Sequence, residues 1–406
     1  MLTRNQLLVT SLCLSSALVL AACGDDDIGA GDGNASETGE TGESGDDEIG
    51  DEANDDLPGD GDGDDPGDGD GDSGDGDGDS GDGDGDDSGD GDGDGDERPM
   101  PSCIDEQFVS GDAPGPGYGG TGIEIGSHCQ GTNHQDIQNI ERVVFVGDSV
   151  TVGTPPTGAG DFYRSILADE LSFMFDLDAP SFLWEQANPL DGKAAVKESG
   201  DFASCAEWGA RTDDFLRGGG QIPDCFATQD LQKTTLVITT MGGNDIAAIA
   251  KDAIEGVSEE ALWEDVEEML DYMREAVHWL REPGRFPNGV FVVFANVYEF
   301  TDATADLLSC PAAGVAGFDK NPDDPEQLIE MMTYINSEFA KLAAETETDM
   351  VFMFEGFCGH GFHADNPNTQ CYRGPGNATW FDLTCIHPTA DGHKALAQMF
   401  LETIDE

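Results

Sequence analysis

Four short apolar runs stand out beyond residue 140: Val143–Val146, Thr235–Thr240, Val290–Asn296 and Met350–Phe354. Each is continuous rather than alternating, and rich in β-branched or aromatic side chains. That is the pattern of strands covered on both faces, as in parallel sheets. Between the runs the period changes. From Ser258, apolar residues recur at helical spacing (Leu262, Val266, Met269, Met273, Val277, Leu280), and acidic residues fill the first turn, where the helix dipole favours them. Asp324 followed by Pro325 opens a second such segment, with Leu328, Met332, Ile335, Phe339 and Leu342 in register. A third segment, capped by Asp161, runs to about Phe175, and a last one runs from about Thr389 to Ile404. The stretch 181–226 is less regular and reads as one short strand and a helix near Asp213 to Arg217. The alternation predicts an α/β protein over 141–406, a three-layer α/β/α sandwich around a mostly parallel sheet.

The first hundred residues carry neither period. Residues 1–23 read as an export signal, with Arg4 supplying positive charge, a mostly apolar run from Leu7 to Leu20, and small residues after it. The run is short of the roughly 20 apolar residues that a membrane span needs. It ends in "LAAC", Leu20 to Cys23, which is similar to the bacterial lipobox, where the signal is cut before a cysteine that is then lipidated. Cys23 is therefore the expected lipidation site, and the expected location is the cell envelope, anchored at the outer membrane or cell surface. Residues 24–100 are Gly, Asp, Ser and Glu, with about 33 acidic side chains and Arg98 as the one basic residue. Such a segment has almost nothing to bury, so the entropy cost of ordering it goes unopposed. It is expected to be a disordered acidic linker spanning roughly 50 Å, and more with charge repulsion. Its Asp-Gly alternation lacks the closed unit of a calcium loop. Residues 101–140, with Pro, Gly and two cysteines, read as an irregular, disulfide-pinned lead-in to the domain.

The net charge of −68 is only partly the linker's. It argues against nucleic acid as a partner, and against direct docking on anionic membrane surfaces. Beyond Cys13 and Cys23 lie eight cysteines, an even count that fits disulfides in an exported chain. Nearness suggests Cys103–Cys129 and Cys205–Cys225, with Cys310, Cys358, Cys371 and Cys385 pairing among themselves. No CxxC pair occurs, which disfavours a zinc ribbon or redox motif.

In a parallel α/β sheet, ligands sit at the carboxyl ends of the strands. Three polar clusters fall there: "GDS" after the first run, "GGND" (Gly242 to Asp245) after the second, and "CIHP" (Cys385 to Pro388) before the last helix. "GDSVTVG", "WGARTDDFL" (Trp208 to Leu216), "GGND" and "HPTADGH" resemble, in order, the first, second, third and fifth motif blocks of the SGNH, or GDSL, hydrolases. The resemblance covers about 265 residues and implies the flavodoxin-like fold of that family. It also implies a carboxylic ester hydrolase, an esterase or lipase that requires no cofactor or metal. Its expected substrate is a small-molecule or polysaccharide ester, and the expected state is a monomer.

Ester cleavage needs a nucleophile, a base and donors for the developing oxyanion. The resemblance assigns these to Ser149, to His387, and to the Ser149 and Gly209 backbone N–H groups with the Asn244 amide. Glycine lets substrate approach the backbone, and an asparagine amide donates without carrying charge. The family usually places an aspartate three residues before the histidine to orient it. Here position 384 is threonine, and the nearest upstream acid is Asp382. Three arrangements stay open: Asp382 reaches the ring across a bulge at Cys385, a backbone carbonyl near Thr384 takes its place, or the enzyme is impaired. Asp382 is the residue assigned. The impaired case leads to an alternative function, a surface lipoprotein that keeps the fold to bind glycans. Asp148 and Asp245 read as supports for Ser149 and Asn244, and His278 and His393 as packing or surface residues. "CGHGFHAD" brings His360, His363 and Asp365 together in sequence, but without a third convincing ligand it reads as a pinned loop. Trp184, Trp208 and Trp380 read as core residues before pocket residues.

Overall fold

The computed structural model describes residues 102–218 and 220–406. The export segment, Cys23 and the acidic linker lie outside the described residues. The six-stranded sheet is built from β1 (Arg142–Gly147), β2 (Glu198–Ser199), β3 (Phe202–Ser204), β4 (Thr235–Thr240), β5 (Val290–Ala295) and β6 (Asp349–Val351), in the order β2-β3-β1-β4-β5-β6. All neighbours run parallel except β2 against β3. The long helices are α1 (Tyr163–Met174), α2 (Gly243–Glu255), α3 (Glu259–Arg281), α4 (Pro325–Thr346) and α5 (Ala390–Ile404).

The strands look uniformly apolar in sequence because both faces are covered, and their residues alternate between two cores. Val144, Val146, Val237, Val292, Phe294 and Met350 pack with α3 and α4. Val143, Phe145, Leu236, Ile238, Val293 and Val351 pack with α1 and α5. The six stripe residues read on α3 are all buried. Ser258 caps α3 and Asp324 caps α4 through their side chains, as the pattern predicts, and Thr389 caps α5.

Several boundaries differ from the reading. Met350–Phe354 is not one strand: β6 ends at Val351, and Met353–Phe357 is a helical turn. There the Asn296 side-chain Oδ1 accepts from Phe354 N at 2.7 Å, where the chain leaves the sheet. A short apolar run cannot by itself separate strand from buried helix. The cap of α1 is Phe162 rather than Asp161. The stretch 181–226 holds β2, β3, a two-stranded ribbon of Ala187–Asn188 with Lys193–Ala194, and three short helical turns. Helix α2, absent from the sequence reading, begins inside "GGND", with Gly242 as its cap, and buries Ile249, Ala250 and Ile254.

The edge at β6 is covered. Thr132 N donates to Met350 O and Met350 N donates to Thr132 Oγ1, so the lead-in occupies a sheet edge that would otherwise offer free backbone groups. The disulfides are Cys103–Cys129, Cys205–Cys225, Cys310–Cys385 and Cys358–Cys371. Both neighbour pairings agree with the sequence reading, and the last four do pair among themselves. Among the described residues, no helix is long and apolar enough to cross a membrane.

After β1 the chain crosses to β3 on one side, then returns past β1 to β4 on the other. The order of travel thus reverses between β1 and β4, the position at which open α/β sheets carry their ligands. These two strands are in register from Arg142 opposite Thr235 to Gly147 opposite Thr240. The segments that follow them are therefore neighbours.

Candidate active site

The turn after β1 is set by a glycine. Gly147 has φ +132, and a Cβ there would lie 2.2 Å from Thr240 O. The buried Gln221 side chain brackets this residue, accepting from Gly147 N at 2.6 Å and donating to Gly147 O at 2.8 Å. Asp148 then caps the single helical turn Ser149–Val152, its Oδ1 accepting from Val150 N (3.0 Å) and Thr240 Oγ1 (3.1 Å). Burial raises the Asp148 carboxyl to about 6. Ser149 starts that turn, and its backbone N–H has no partner among the described residues.

His387 arrives from the other end of the chain on a tight turn. Asp382 N donates to His387 O at 2.9 Å, and Cys385 N donates to Asp382 O at 3.1 Å. Cys385 takes the left-handed φ of +73 that lets the turn reverse, and its disulfide to Cys310 pins it. The Tyr298 hydroxyl donates to Ile386 O at 2.6 Å, fixing the next residue. The result is an imidazole whose Nε2 lies 2.8 Å from Ser149 Oγ. Burial lowers His387 to about 4, which keeps the ring neutral at neutral pH.

Asp382 does not touch the ring. The Nδ1 partner is the Thr384 hydroxyl at 2.7 Å, and that hydroxyl in turn bonds Asp382 Oδ1 at 2.5 Å. Neither the direct carboxylate nor a backbone carbonyl fills the place. In the sequence, position 384 reads as a missing acid, and its hydroxyl gives no signal of a role. Asp382 is buried, which raises its pKa, while the Thr384 hydrogen bonds lower it.

Asn244, in the first turn of α2, donates through Nδ2 to Ala210 O at 2.8 Å, which leaves its second amide hydrogen uncommitted. Asp245 beside it accepts from Thr212 N (3.2 Å) and Thr212 Oγ1 (3.0 Å), and burial raises its carboxyl to about 7. These bonds tie the third block to the second. Gly209 lies on that second-block loop with φ +77, exposed, its N–H unpartnered among the described residues and nothing within 4 Å of its missing Cβ. The loop is held to the β1 end by Glu207 N donating to Gly147 O (3.1 Å) and Trp208 Nε1 donating to Gly153 O (3.0 Å).

A cavity of about 260 Å³ borders Ser149 and Asn244. Its wall is mainly apolar, with Ile246 and Ile249 of α2, Met331 and Met332 of α4, and Leu307 and Phe318 between. None of the three tryptophans singled out in the sequence lines it. Trp184 is fully buried against Phe145 and Phe202, and Trp380 stacks on His360 at 3.5 Å. His360 Nδ1 bonds Ala378 O, and His363 Nε2 lies 3.0 Å from Asp306. These residues do not gather into a metal-ligand cluster among the described residues. His393 is fully buried and packs against Tyr163 and Phe162, whereas His278 is exposed on α3.

Similarity to solved structures is low in identity. An extracellular lipase from Streptomyces rimosus is 20% identical, with 65% of this chain and 99% of that chain covered and a TM-score of 0.38. A gut microbial diltiazem-metabolizing enzyme is 16% identical over 67% of this chain and 48% of that one, with a TM-score of 0.40. A lipase from a goat rumen metagenome is 13% identical over 64% and 96%, with a TM-score of 0.41. No curated protein sequence matches the chain. The model of the GDSL-like lipase/acylhydrolase family, however, matches residues 143–400, from the second residue of β1 to within α5. That span is more than half of the chain and contains every motif block described above, so the protein belongs to the GDSL-like lipase/acylhydrolase family of hydrolases.

Proposed function

We propose that the protein hydrolyses carboxylic esters through an acyl-enzyme on Ser149, with His387 as general base and then general acid. The observation that carries this reading is the 2.8 Å contact between Ser149 Oγ and a neutral, buried His387 Nε2. Ser149 Oγ bonds the ester carbon, its proton passes to Nε2, and the carbonyl π pair moves onto oxygen. The oxyanion would be met by the free N–H groups of Ser149 and Gly209 and the uncommitted hydrogen of Asn244. Collapse breaks the bond to the leaving alcohol, which takes the proton from Nε2. Water then repeats the sequence on the acyl-enzyme and releases the acid.

The apolar cavity beside Ser149 supports an ester with a medium-length apolar acyl chain. A cavity of about 150 Å³ holds a benzene-sized ligand, so this one has room for roughly ten carbons. Along a series of p-nitrophenyl esters, kcat/KM should climb from acetyl by up to about 4-fold per methylene, the effect of burying each CH₂. It should level off near C10, and Ser149→Ala should be inactive throughout. A maximum at acetyl would contradict the acyl-pocket reading, and full activity in Ser149→Ala would contradict the nucleophile. The glycan-binding alternative rests on the lack of an acid three residues before His387, and the Thr384–Asp382 pair beside the ring supports the hydrolase reading over it.

We further propose export and lipid anchoring at Cys23, with residues 24–100 as the tether of the hydrolase domain. Four disulfides fit an oxidising compartment. Cys23→Ser should move the expressed protein from the detergent-extracted membrane fraction to a soluble one, and unchanged fractionation would refute the anchor.

A further inference from the structure

We propose that Thr384 is a positioning residue for His387, fixing its tautomer through the hydroxyl and coupling the ring to the Asp382 carboxylate in a Ser149–His387–Thr384–Asp382 relay. This rests on the reading of Ser149 and His387 given above. The family pattern places a carboxylate directly on the ring, and here a neutral hydroxyl stands between.

The direction of each hydrogen bond follows from counting donors. Asp382 Oδ1 receives Thr384 N–H at 2.7 Å and lies 2.5 Å from Thr384 Oγ1. A proton taken up by this carboxyl would settle on Oδ2, which is buried and has no partner among the described residues. Oδ1 is thus an acceptor in either protonation state, and the Thr384 hydroxyl gives it its only hydrogen. Thr384 Oγ1 then has only lone pairs to offer Nδ1 at 2.7 Å, so Nδ1 carries the ring hydrogen. Nε2 is left bare and faces Ser149 Oγ at 2.8 Å, the tautomer that a general base requires.

When Nε2 takes the serine proton, the ring cation lies two hydrogen bonds from the carboxylate. Nδ1–H, Oγ1–H and Oδ1 polarise in one direction, so the bonds strengthen together. The greater distance makes the coupling weaker than direct contact. The other titratable groups around the ring are Asp148 beneath Ser149, Tyr298, whose hydroxyl is spent on Ile386 O, and the buried His393 of α5.

The test compares the whole hydrolase with Thr384→Val, Thr384→Ser, Asp382→Asn and the double variant Asp382→Asn/Thr384→Asp. Readouts are kcat and KM against pH, thermal unfolding, and the ¹⁵N NMR tautomer signature of His387. Valine keeps the shape and removes the hydroxyl, so kcat should fall roughly 10²- to 10³-fold, approaching the loss seen when a triad histidine is held in the wrong tautomer. KM should stay within about 3-fold, and the ring signal should shift from Nδ1–H to a mixture. Serine should recover most of the kcat. Asparagine at 382 still accepts through Oδ1, so the tautomer should persist while kcat drops roughly 10-fold with the loss of charge. The double variant puts a carboxylate on the ring, and should restore kcat and raise the acid limb of the pH profile. The relay is overturned if Thr384→Val keeps kcat and the Nδ1–H signature. It is equally overturned if Thr384→Ser is as impaired as valine, because bulk and not the hydroxyl would then matter. A fluorophosphonate separates the two readings: labelling of wild type that is lost in Ser149→Ala leaves the hydrolase intact whatever Thr384 does, whereas unlabelled, folded wild type refutes the hydrolase itself.

Discussion

Replacing His387 with alanine is expected to lower kcat toward a p-nitrophenyl ester by roughly 10⁴- to 10⁶-fold, because the serine proton then has no acceptor. The ring is the one base within hydrogen-bond distance of Ser149 Oγ among the described residues. The same residue should shape the pH profile of the unaltered protein. Burial lowers His387 to about 4, below the ordinary range near 6.5. The neutral, competent ring therefore persists on acidification until the pH approaches 4. The acid limb of kcat/KM, which reports the free enzyme, should fall near 4, well below an unperturbed histidine. Stability runs in the same direction. His387 and the fully buried His393, lowered to about 3, both gain a proton more readily when the chain unfolds. Between about pH 6.5 and their folded values the unfolded state binds more protons, so their contribution to stability declines as pH falls through that window. Circular dichroism recorded alongside the rates separates titration of the base from acid unfolding. An acid limb near 6.5 on fully folded protein would contradict the buried, neutral ring.

Removing the Cys310–Cys385 disulfide is expected to cost both stability and turnover. Its closed loop spans 75 residues, which in the chain-entropy model corresponds to about 4 kcal/mol. Cys310→Ala/Cys385→Ala should therefore unfold roughly 10 °C lower. The second effect follows from where the bond sits. Cys385 lies between Thr384 and His387 in a left-handed conformation that a non-glycine residue adopts only when its surroundings hold it there. Released, the turn can relax, and Nε2 moves off Ser149 Oγ, so kcat should fall by more than 10-fold even at temperatures where the variant is folded. The Cys103–Cys129 bond of the lead-in provides the contrast. Its loss should lower the unfolding temperature to a similar degree and leave kcat nearly unchanged. Equal retention of kcat in both variants would mean that the disulfide does not seat the histidine turn.

Much of this architecture was legible in the chain because two-sided burial leaves a plain trace. The runs at residues 143, 235 and 290 do not alternate apolar with exposed polar positions, since each strand divides its side chains between two cores. Polar clusters directly after such strands then stand out, and the topology brings them together at the reversal between β1 and β4. The pairing of Ser149 with His387 was legible for that reason, across 238 positions. Other features left no local signal. Gln221 braces Gly147 from 74 positions away, and nothing in "GQIPDC" marks it. The run "MVFMF" has one composition and two conformations, and the helical part is met by the Asn296 side chain just past β5, far off in sequence. Thr384 was visible as a residue, but its function depends on the reversal at Cys385. That reversal folds Asp382 back under its hydroxyl, a consequence of φ and a disulfide rather than of spacing.

If Ser149 is the nucleophile, it carries the acyl group between the two half-reactions, and that group can be trapped. The purified hydrolase would be mixed with a p-nitrophenyl ester, quenched in acid within the first turnover and mapped by peptide mass spectrometry. One acyl group per protein, located on Ser149 and absent from Ser149→Ala, is the predicted result. Turnover by folded protein with the acyl group on another residue, or with no acyl group formed at all, would contradict it.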